Sequence, residues 1–365
     1  MVAAFIEPAL GLLADRGHRR ALVLTGGVLS ALVLVGNAVA TGFPMLLVAF
    51  ILGAPAAGAF VTLAQTVLMD AAPDHHERSM ARWVFVGSIG VTTGPLLIAA
   101  ASLAGLGWRP VMWMLAGLGL LLTLMARKLP LDTVPSEDEE HASVRSALNH
   151  LRNPEVRRWL TVIETADLLV DVFFSFLAVY LVDVAGADPT QASFAVSLFS
   201  MGGIAGSALL LPMLPRYDGL NYMRGSAMGA AALFAVFLIV DPLAVKIAAA
   251  TAIAVLGSGW YTIPKARLFS ALPGRSGIAV ALESSASLLG SQTPLVIGAV
   301  SASAGLGSAM WLLMLAPVSI LALVPRRGQV NRRSRPPRRT PSGTVSTARS
   351  GSGSPTSSSS PPKPP

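Results

Sequence analysis

The chain has 365 residues, of which 53% are hydrophobic and 13% are charged, and this composition excludes an ordinary soluble domain. It contains no cysteine, which excludes disulfides and thiolate metal sites, and its five scattered histidines suggest no metal centre. Nine of its 27 lysines and arginines lie in residues 326–365, leaving 18 basic against 19 acidic residues elsewhere. The net charge of +8 therefore reflects a basic tail and does not indicate nucleic-acid binding. The sequence predicts a polytopic protein that lies in a lipid bilayer.

Nearly uncharged runs of about 20 residues mark helices that could cross a bilayer. Residues 1–13 can form only part of such a helix. Further runs lie at residues 21–40, 44–69, 83–104, 109–126, 159–182, 192–213, 224–240, 243–264, 277–301 and 308–324. The sequence therefore predicts an all-α fold with about 11 transmembrane helices.

A polar segment at residues 127–158 divides these runs into two groups. We expect a helical bundle at residues 1–126, a linker at 127–158 and a second bundle at 159–325. Residues 326–365 are rich in Pro, Ser, Arg and Gly and contain few apolar residues, which predicts a disordered tail.

Lysine and arginine are concentrated in every second loop, which predicts that these loops face the cytoplasm. The basic residues concerned are Arg16, Arg19, Arg20, Arg78, Arg82, Arg127, Lys128, Arg216, Arg224, Lys265, Arg267, Arg275, Arg326 and Arg327. The linker and the tail are therefore predicted to be cytoplasmic.

The first of these loops carries a short motif between two apolar runs. Its residues are Gly11, Asp15, Arg16, Arg19 and Arg20, within the sequence GLLADRGHRR. The motif is similar to the signature loop of the major facilitator superfamily, which joins the second and third helices. Glycine permits close helix approach, and the arginines hold the loop at the inner face.

This resemblance implies two six-helix bundles that rock about a central cavity. It implies a secondary transporter in the plasma membrane, with a small-molecule substrate, no enzymatic activity and no cofactor, and a monomer is expected. Residues 1–13 then correspond to the second helix. We therefore expect a first helix to be missing from an N-terminally truncated chain or lost to a misplaced start codon.

Three acidic residues lie within one predicted membrane helix, at Glu164, Asp167 and Asp171. At about 100° per residue they share one helical face, which cannot face lipid. Proton coupling requires carboxyl groups that bind and release protons, so Asp167 or Asp171 is predicted to bind a proton or a cationic substrate. Alternatively, Glu164 lies near the inner interface, paired with Arg157 or Arg158.

A second motif lies in the run at residues 83–104. Gly90, Gly94 and Pro95, with Gly87 before them, resemble part of the family's exporter-associated helix-bend signature. Small residues permit helix contact and proline bends a helix. The resemblance implies proton-coupled efflux by antiport, and ordinary small-residue packing is the alternative.

Other polar or aromatic residues in the predicted membrane helices are weaker candidates. Glu7 is predicted to face the cavity or the second half. Glu283 either lies in the cavity or interacts with the dipole of its helix. Further candidates for substrate hydrogen bonding or stacking are Gln65, Trp260, Tyr261 and Gln292.

Two other functions are compatible with these features. The chain could be an importer or uniporter of a small metabolite, or a membrane scaffold that transports nothing. Lipase elbows, phosphate-binding loops and His-Glu-x-x-His metal motifs are not found in the sequence, which argues against an enzyme.

Overall fold

The computed structural model describes residues 2–129 and 149–325. Most of the predicted linker and the predicted tail lie outside these ranges, and so do the side chains of Glu7, Asp15, Arg16 and Pro95. The described residues form helices and no strands, which confirms the predicted all-α class.

We number the helices in chain order. They are α1 (Val2–Leu13), α2 (Arg19–Val39), α3 (Phe43–Asp70), α4 (Pro73–Leu103), α5 (Arg109–Ala126), α6 (Pro154–Asp183), α7 (Pro189–Met213), α8 (Gly219–Ile239), α9 (Leu243–Ala271), α10 (Ser276–Gly290), α11 (Thr293–Ala304) and α12 (Leu306–Leu323).

Nine helices in the described ranges are long and apolar enough to cross a membrane. The predicted runs at residues 1–13 and 277–301 correspond to α1 and to the shorter pair α10 and α11. Pro294 lies in the first turn of α11, where its missing N–H leaves no intrahelical hydrogen bond unmade. Nine of the predicted membrane helices are therefore found in the described ranges. The runs at residues 1–13 and 277–301 stay predictions as membrane-crossing helices.

Several helices extend beyond the apolar runs that predicted them. Helix α4 begins at Pro73 and α6 at Pro154, whereas the apolar runs begin at residues 83 and 159. The Asn153 side chain caps α6 by accepting the backbone N–H of Glu155 at 2.9 Å. Polar residues thus continue these two helices beyond their apolar runs. The extensions lie at the end of the molecule that carries the arginine-rich loops, and we call this end the inner end.

The second half of the chain has a filled aromatic core. The Phe173 ring lies 5.1–5.6 Å from the rings of Phe199, Phe234 and Phe237, in edge-to-face geometry. These rings join α6, α7 and α8. The core gives α6, which carries the three predicted acidic residues, a rigid support on one side.

The two halves contact each other through α1, which packs on α10, and through α4, which packs on α7 and α9. Gly11 permits the first contact, because a Cβ atom there would overlap the carbonyl oxygen of Gly277 and lie 3.3 Å from the nitrogen of Ala281. The chain then turns through a π-helical segment, Ala14–His18, in which Gly17 has a φ of +80°. Glycine adopts this left-handed conformation without strain.

Side chains at the inner end also join the two halves. Arg19 of α2 is 2% exposed, forms an ion pair with Asp70 of α3 and donates to Ser276 Oγ at 2.8 Å. Arg267 Nε of α9 lies 2.7 Å from Glu77 Oε1 of α4. These contacts hold the two halves together at the inner end.

We expect Gly11→Ala to lower stability, because the added methyl group overlaps backbone atoms that cannot rotate away. Overpacking of this kind costs about 1–3 kcal/mol. Thermal unfolding of the purified protein in detergent measures the effect. Gly117→Ala is the control, because nothing lies within 4 Å of a Cβ at Gly117. Equal melting temperatures for the two variants would contradict the close approach.

Candidate functional site

The acidic face of α6 borders three cavities, and Asp167 and Asp171 line two of them. The helix contains a π-helical segment, Leu168–Val172, next to Asp167 and around Asp171. A π segment widens one turn and is frequent at functional sites. Asp167 and Asp171 line the larger cavity, and both also line the smaller one together with Glu164. The structure therefore brings together the three carboxyl groups that helical periodicity placed on one face.

The larger cavity has a volume of about 570 Å³ and lies between α4, α6, α7 and α9. This volume is in the range of sites that bind drug-sized molecules, which is about 300–1,000 Å³. Its walls are mainly apolar, with hydroxyl groups between the apolar side chains. The hydroxyl residues are Ser88, Thr92, Ser200, Ser207, Ser258 and Tyr261. Among the described residues that line it, none is a lysine, arginine or histidine.

The smaller cavity, of about 260 Å³, lies between α6, α10 and α11. The carboxylate of Glu164 rests against Gly290 at the end of α10, where a Cβ atom would overlap it. Within the described part of the chain, no ion pair joins Glu164 to Arg157 or Arg158. Glu164 therefore lies beside the carboxyl groups of Asp167 and Asp171. It does not form the ion pair with Arg157 or Arg158 that was the alternative prediction.

A buried ion pair lies beside this acidic face. Lys265 of α9 is 4% exposed, and its Nζ lies 2.8 Å from Glu283 Oε1 of α10. The same Nζ donates to the hydroxyl of Tyr261 at 2.6 Å. Glu283 thus has a cationic partner in Lys265, and an interaction with the helix dipole is not needed to explain its position. Tyr261 lines the larger cavity and so connects the ion pair to it.

Comparison with known proteins identifies the family. A family model described as Major Facilitator Superfamily matches residues 1–291. The chain belongs to the major facilitator superfamily. A search of curated protein sequences finds no significant match.

Solved structures of this superfamily share the fold. The fucose:proton symporter FucP of E. coli superposes with a TM-score of 0.77 at 18% identity, covering 88% of this chain and 87% of that one. A further FucP structure, in the outward conformation, gives the same TM-score of 0.77. The human organic anion transporter MFSD10 (TETRAN) has a TM-score of 0.70 at 19% identity, covering 89% of this chain and 81% of its own.

This major facilitator protein is therefore a multi-pass membrane protein with a secondary-transporter fold. The larger cavity is lined by α4 of the first half and by α6, α7 and α9 of the second. Within the described residues, no group of three or more His, Cys, Asp or Glu is arranged to hold a metal ion.

The other predicted site residues of this transporter have varied surroundings. Trp260 is fully buried and donates its indole N–H to Ser226 Oγ at 2.8 Å, although it borders the larger cavity. Gln65 is buried and donates to Met80 Sδ at 3.2 Å. Gln292 is exposed in the turn between α10 and α11. These contacts hold Trp260 and Gln65 within the helix packing.

The glycines of the exporter-like motif face open space. A Cβ atom at Gly87, Gly90 or Gly94 would have no neighbour within 4 Å. The helix α4 continues without interruption through this motif to Leu103. The motif therefore has no close helix partner among the described residues.

Sequence reasoning missed Lys265 as a site residue and counted it only among the basic residues of a loop. A lone lysine at the end of an apolar run is a recognisable signal, because an ionisable residue in a membrane helix requires a partner. It also missed the inner-end partners Asp70, Glu77 and Ser276. Their partners lie far away in the chain, so spacing gave no indication of them.

Single cysteines can test the open cavity, because the chain contains no native cysteine. We expect Ser200→Cys, on the exposed wall of the larger cavity, to react with a membrane-impermeant thiol reagent added to intact cells. Ser226→Cys should not react, because Ser226 is 4% exposed and accepts the Trp260 indole N–H. Equal labelling of both positions would contradict the cavity assignment.

Proposed function

We propose that this transporter exports a small molecule across the plasma membrane in exchange for protons, by alternating access. The observation that carries the proposal is the acidic face of α6. Asp167 and Asp171 line a drug-sized cavity that has no basic side chain among its described lining residues. Glu164 adds a third carboxyl group in the adjoining cavity.

The physical argument concerns charge compensation. An ionised carboxylate at the centre of a membrane costs about 2.5–3.5 kcal/mol on insertion scales. Lys265, the nearby cation, is already paired with Glu283. The three carboxyl groups of α6 are therefore best compensated by a bound proton or by a cationic substrate. Because the two compete for the same groups, binding one displaces the other.

Two further features support exchange. The motif at Gly90, Gly94 and Pro95 resembles an exporter-associated signature. FucP and XylE are proton symporters by their names, so proton coupling occurs on this fold, although their sequence identities to this chain are only 18% and 16%. We further propose that the inner end faces the cytoplasm, because its loops carry the arginines and lysines.

The test measures proton movement in inside-out vesicles from cells that express the chain, energised so that the lumen is acidic. Cationic drugs and neutral metabolites are added in turn. Antiport predicts proton release into the medium when a substrate is added, whereas symport into the lumen predicts proton uptake. In Asp171→Asn, substrate-induced release should fall to background, because an amide cannot bind and release the proton.

Asp183→Asn is the matched control, because Asp183 lies on the same helix but is exposed at its opposite end. It should retain wild-type proton release. The proposal would be wrong if Asp171→Asn and Asp167→Asn both transported at the wild-type rate with unchanged pH dependence. Substrate movement without any proton signal would indicate a uniporter, and no movement of any compound would favour a scaffold.

A further inference from the structure

The hydroxyl groups of the serines and threonine that line the larger cavity share one hydrogen-bond pattern. Ser88 and Thr92 of α4 donate to the carbonyl oxygens four residues earlier, at 2.9 and 3.0 Å. Ser200 and Ser207 of α7 do the same, at 3.1 and 2.9 Å. Ser258 of α9 donates to the carbonyl oxygen three residues earlier, at 3.0 Å. Each of these hydroxyl groups therefore uses its O–H donor within its own helix.

A wall of such hydroxyl groups offers acceptors to a ligand. A serine or threonine hydroxyl has one O–H donor and two acceptor lone pairs. Donation to the backbone of the same helix leaves the lone pairs available. To donate to a ligand, the hydroxyl would have to give up its bond within the helix, whereas accepting a hydrogen bond breaks nothing. These hydroxyl groups thus favour a ligand that itself supplies the donors.

The other polar side chains of the cavity add to this excess of acceptors. Asp167 and Asp171 line the cavity, and an ionised carboxylate only accepts hydrogen bonds. The indole N–H of Trp260 is already bound to a buried serine at 2.8 Å. Tyr261 accepts from Lys265 at 2.6 Å, and its own O–H is, among the described lining residues, the one side-chain donor without an assigned acceptor. Acceptors therefore outnumber free donors around the cavity.

The aromatic rings at the cavity leave little free ring face. A cation without N–H donors, such as a quaternary ammonium ion, is held in proteins mainly by aromatic faces. Trp260 is fully buried, and Lys265 Nζ already lies 4.8 Å from the centroid of the Tyr261 ring. The Phe199 ring is also buried and packs edge-to-face against Phe173 at 5.6 Å. The cavity is therefore poorly suited to hold a cation through ring faces alone.

We infer that the larger cavity selects cations that carry several N–H donors, namely guanidinium and primary ammonium compounds, over quaternary ammonium ions of similar size. This inference rests on the proposed function, because it names the substrate class of the same site. A guanidinium group forms charge-assisted hydrogen bonds to Asp167 or Asp171 and directs its remaining N–H groups to hydroxyl oxygens. A quaternary ammonium ion has the same charge but leaves all of these acceptors without a hydrogen bond.

Matched pairs of permanently charged compounds test this selectivity. Benzylguanidinium and benzyltrimethylammonium have the same charge and the same apolar group. Neither loses its charge near neutral pH, so passive entry of a neutral form does not interfere. The corresponding naphthylmethyl pair extends the comparison to a larger apolar group. The measurement is the concentration of each compound that gives half-maximal proton release in the same inside-out vesicles.

We expect each guanidinium compound to reach half-maximal release at a concentration about tenfold lower than its trimethylammonium partner. The reason is that one or two net hydrogen bonds correspond to about a tenfold change in affinity. Equal concentrations within both pairs would overturn the inference while leaving the proposed proton exchange intact.

Variants of the cavity wall test the role of the hydroxyl acceptors. Ser88→Ala/Ser200→Ala removes one acceptor from α4 and one from α7. It should raise the half-maximal concentration of the guanidinium compounds about three- to tenfold and leave that of the trimethylammonium compounds unchanged. Ser197→Ala is the matched control and should change neither. Ser197 also donates within α7, at 2.9 Å, but is not among the residues that line the cavity.

The remaining outcomes separate the inference from the proposed function. An equal loss for both classes of cation in Ser88→Ala/Ser200→Ala would overturn the inference alone, and so would proton release by a neutral hexose in place of both classes. If no compound caused proton release in the wild type, the proposed exchange and the inference would both be refuted. Size-exclusion profiles of the purified variants show whether each one is folded.

Discussion

The arrangement of this transporter depends on how charge is compensated inside an apolar helical bundle. A buried carboxylate needs a proton, a cation or water, because the membrane interior solvates it poorly. Glu283 has its cation within the protein, at 2.8 Å from Lys265. The carboxyl groups of α6 instead face cavities. Beside the cavities, Glu283 therefore has a partner within the described part of the chain, whereas in the proposed function Glu164, Asp167 and Asp171 take theirs from outside.

The contacts at the inner end place a second requirement on the same helices. Ser276 connects the two halves through its hydrogen bonds with Arg19 and Asp70, and Arg267 connects them through Glu77, so the halves separate at this end only when these contacts break. The Arg267 side chain is 36% exposed in its pair, and pairs open to water contribute little net stability. Arg19, at 2% exposure, is desolvated, so breaking its hydrogen bond to Ser276 leaves a buried donor unpaired and costs more. Separation of the halves is thus expected to begin near Arg267.

Periodicity and hydropathy predicted much of this architecture from the sequence. The all-α membrane fold and the family are confirmed, and the structure places Glu164, Asp167 and Asp171 together, as a 3.6-residue period predicted. The polar inner ends of α4 and α6 were not predicted, because helices there continue without an apolar signal. Lys265 and Glu283 lie on different helices, so local spacing could not pair them. The same holds for Trp260, whose indole N–H reaches Ser226 on another helix.

Shared carboxyl groups also bear on the mode of transport. Cotransport requires a site that holds the proton and the substrate at the same time. Here Asp167 and Asp171 are one turn apart on α6 and line the same two cavities, so the proposed cationic substrate would bind between them in place of their protons. In the proposed function, a proton and a cationic substrate compete for one acidic face, and this competition is the physical basis of exchange.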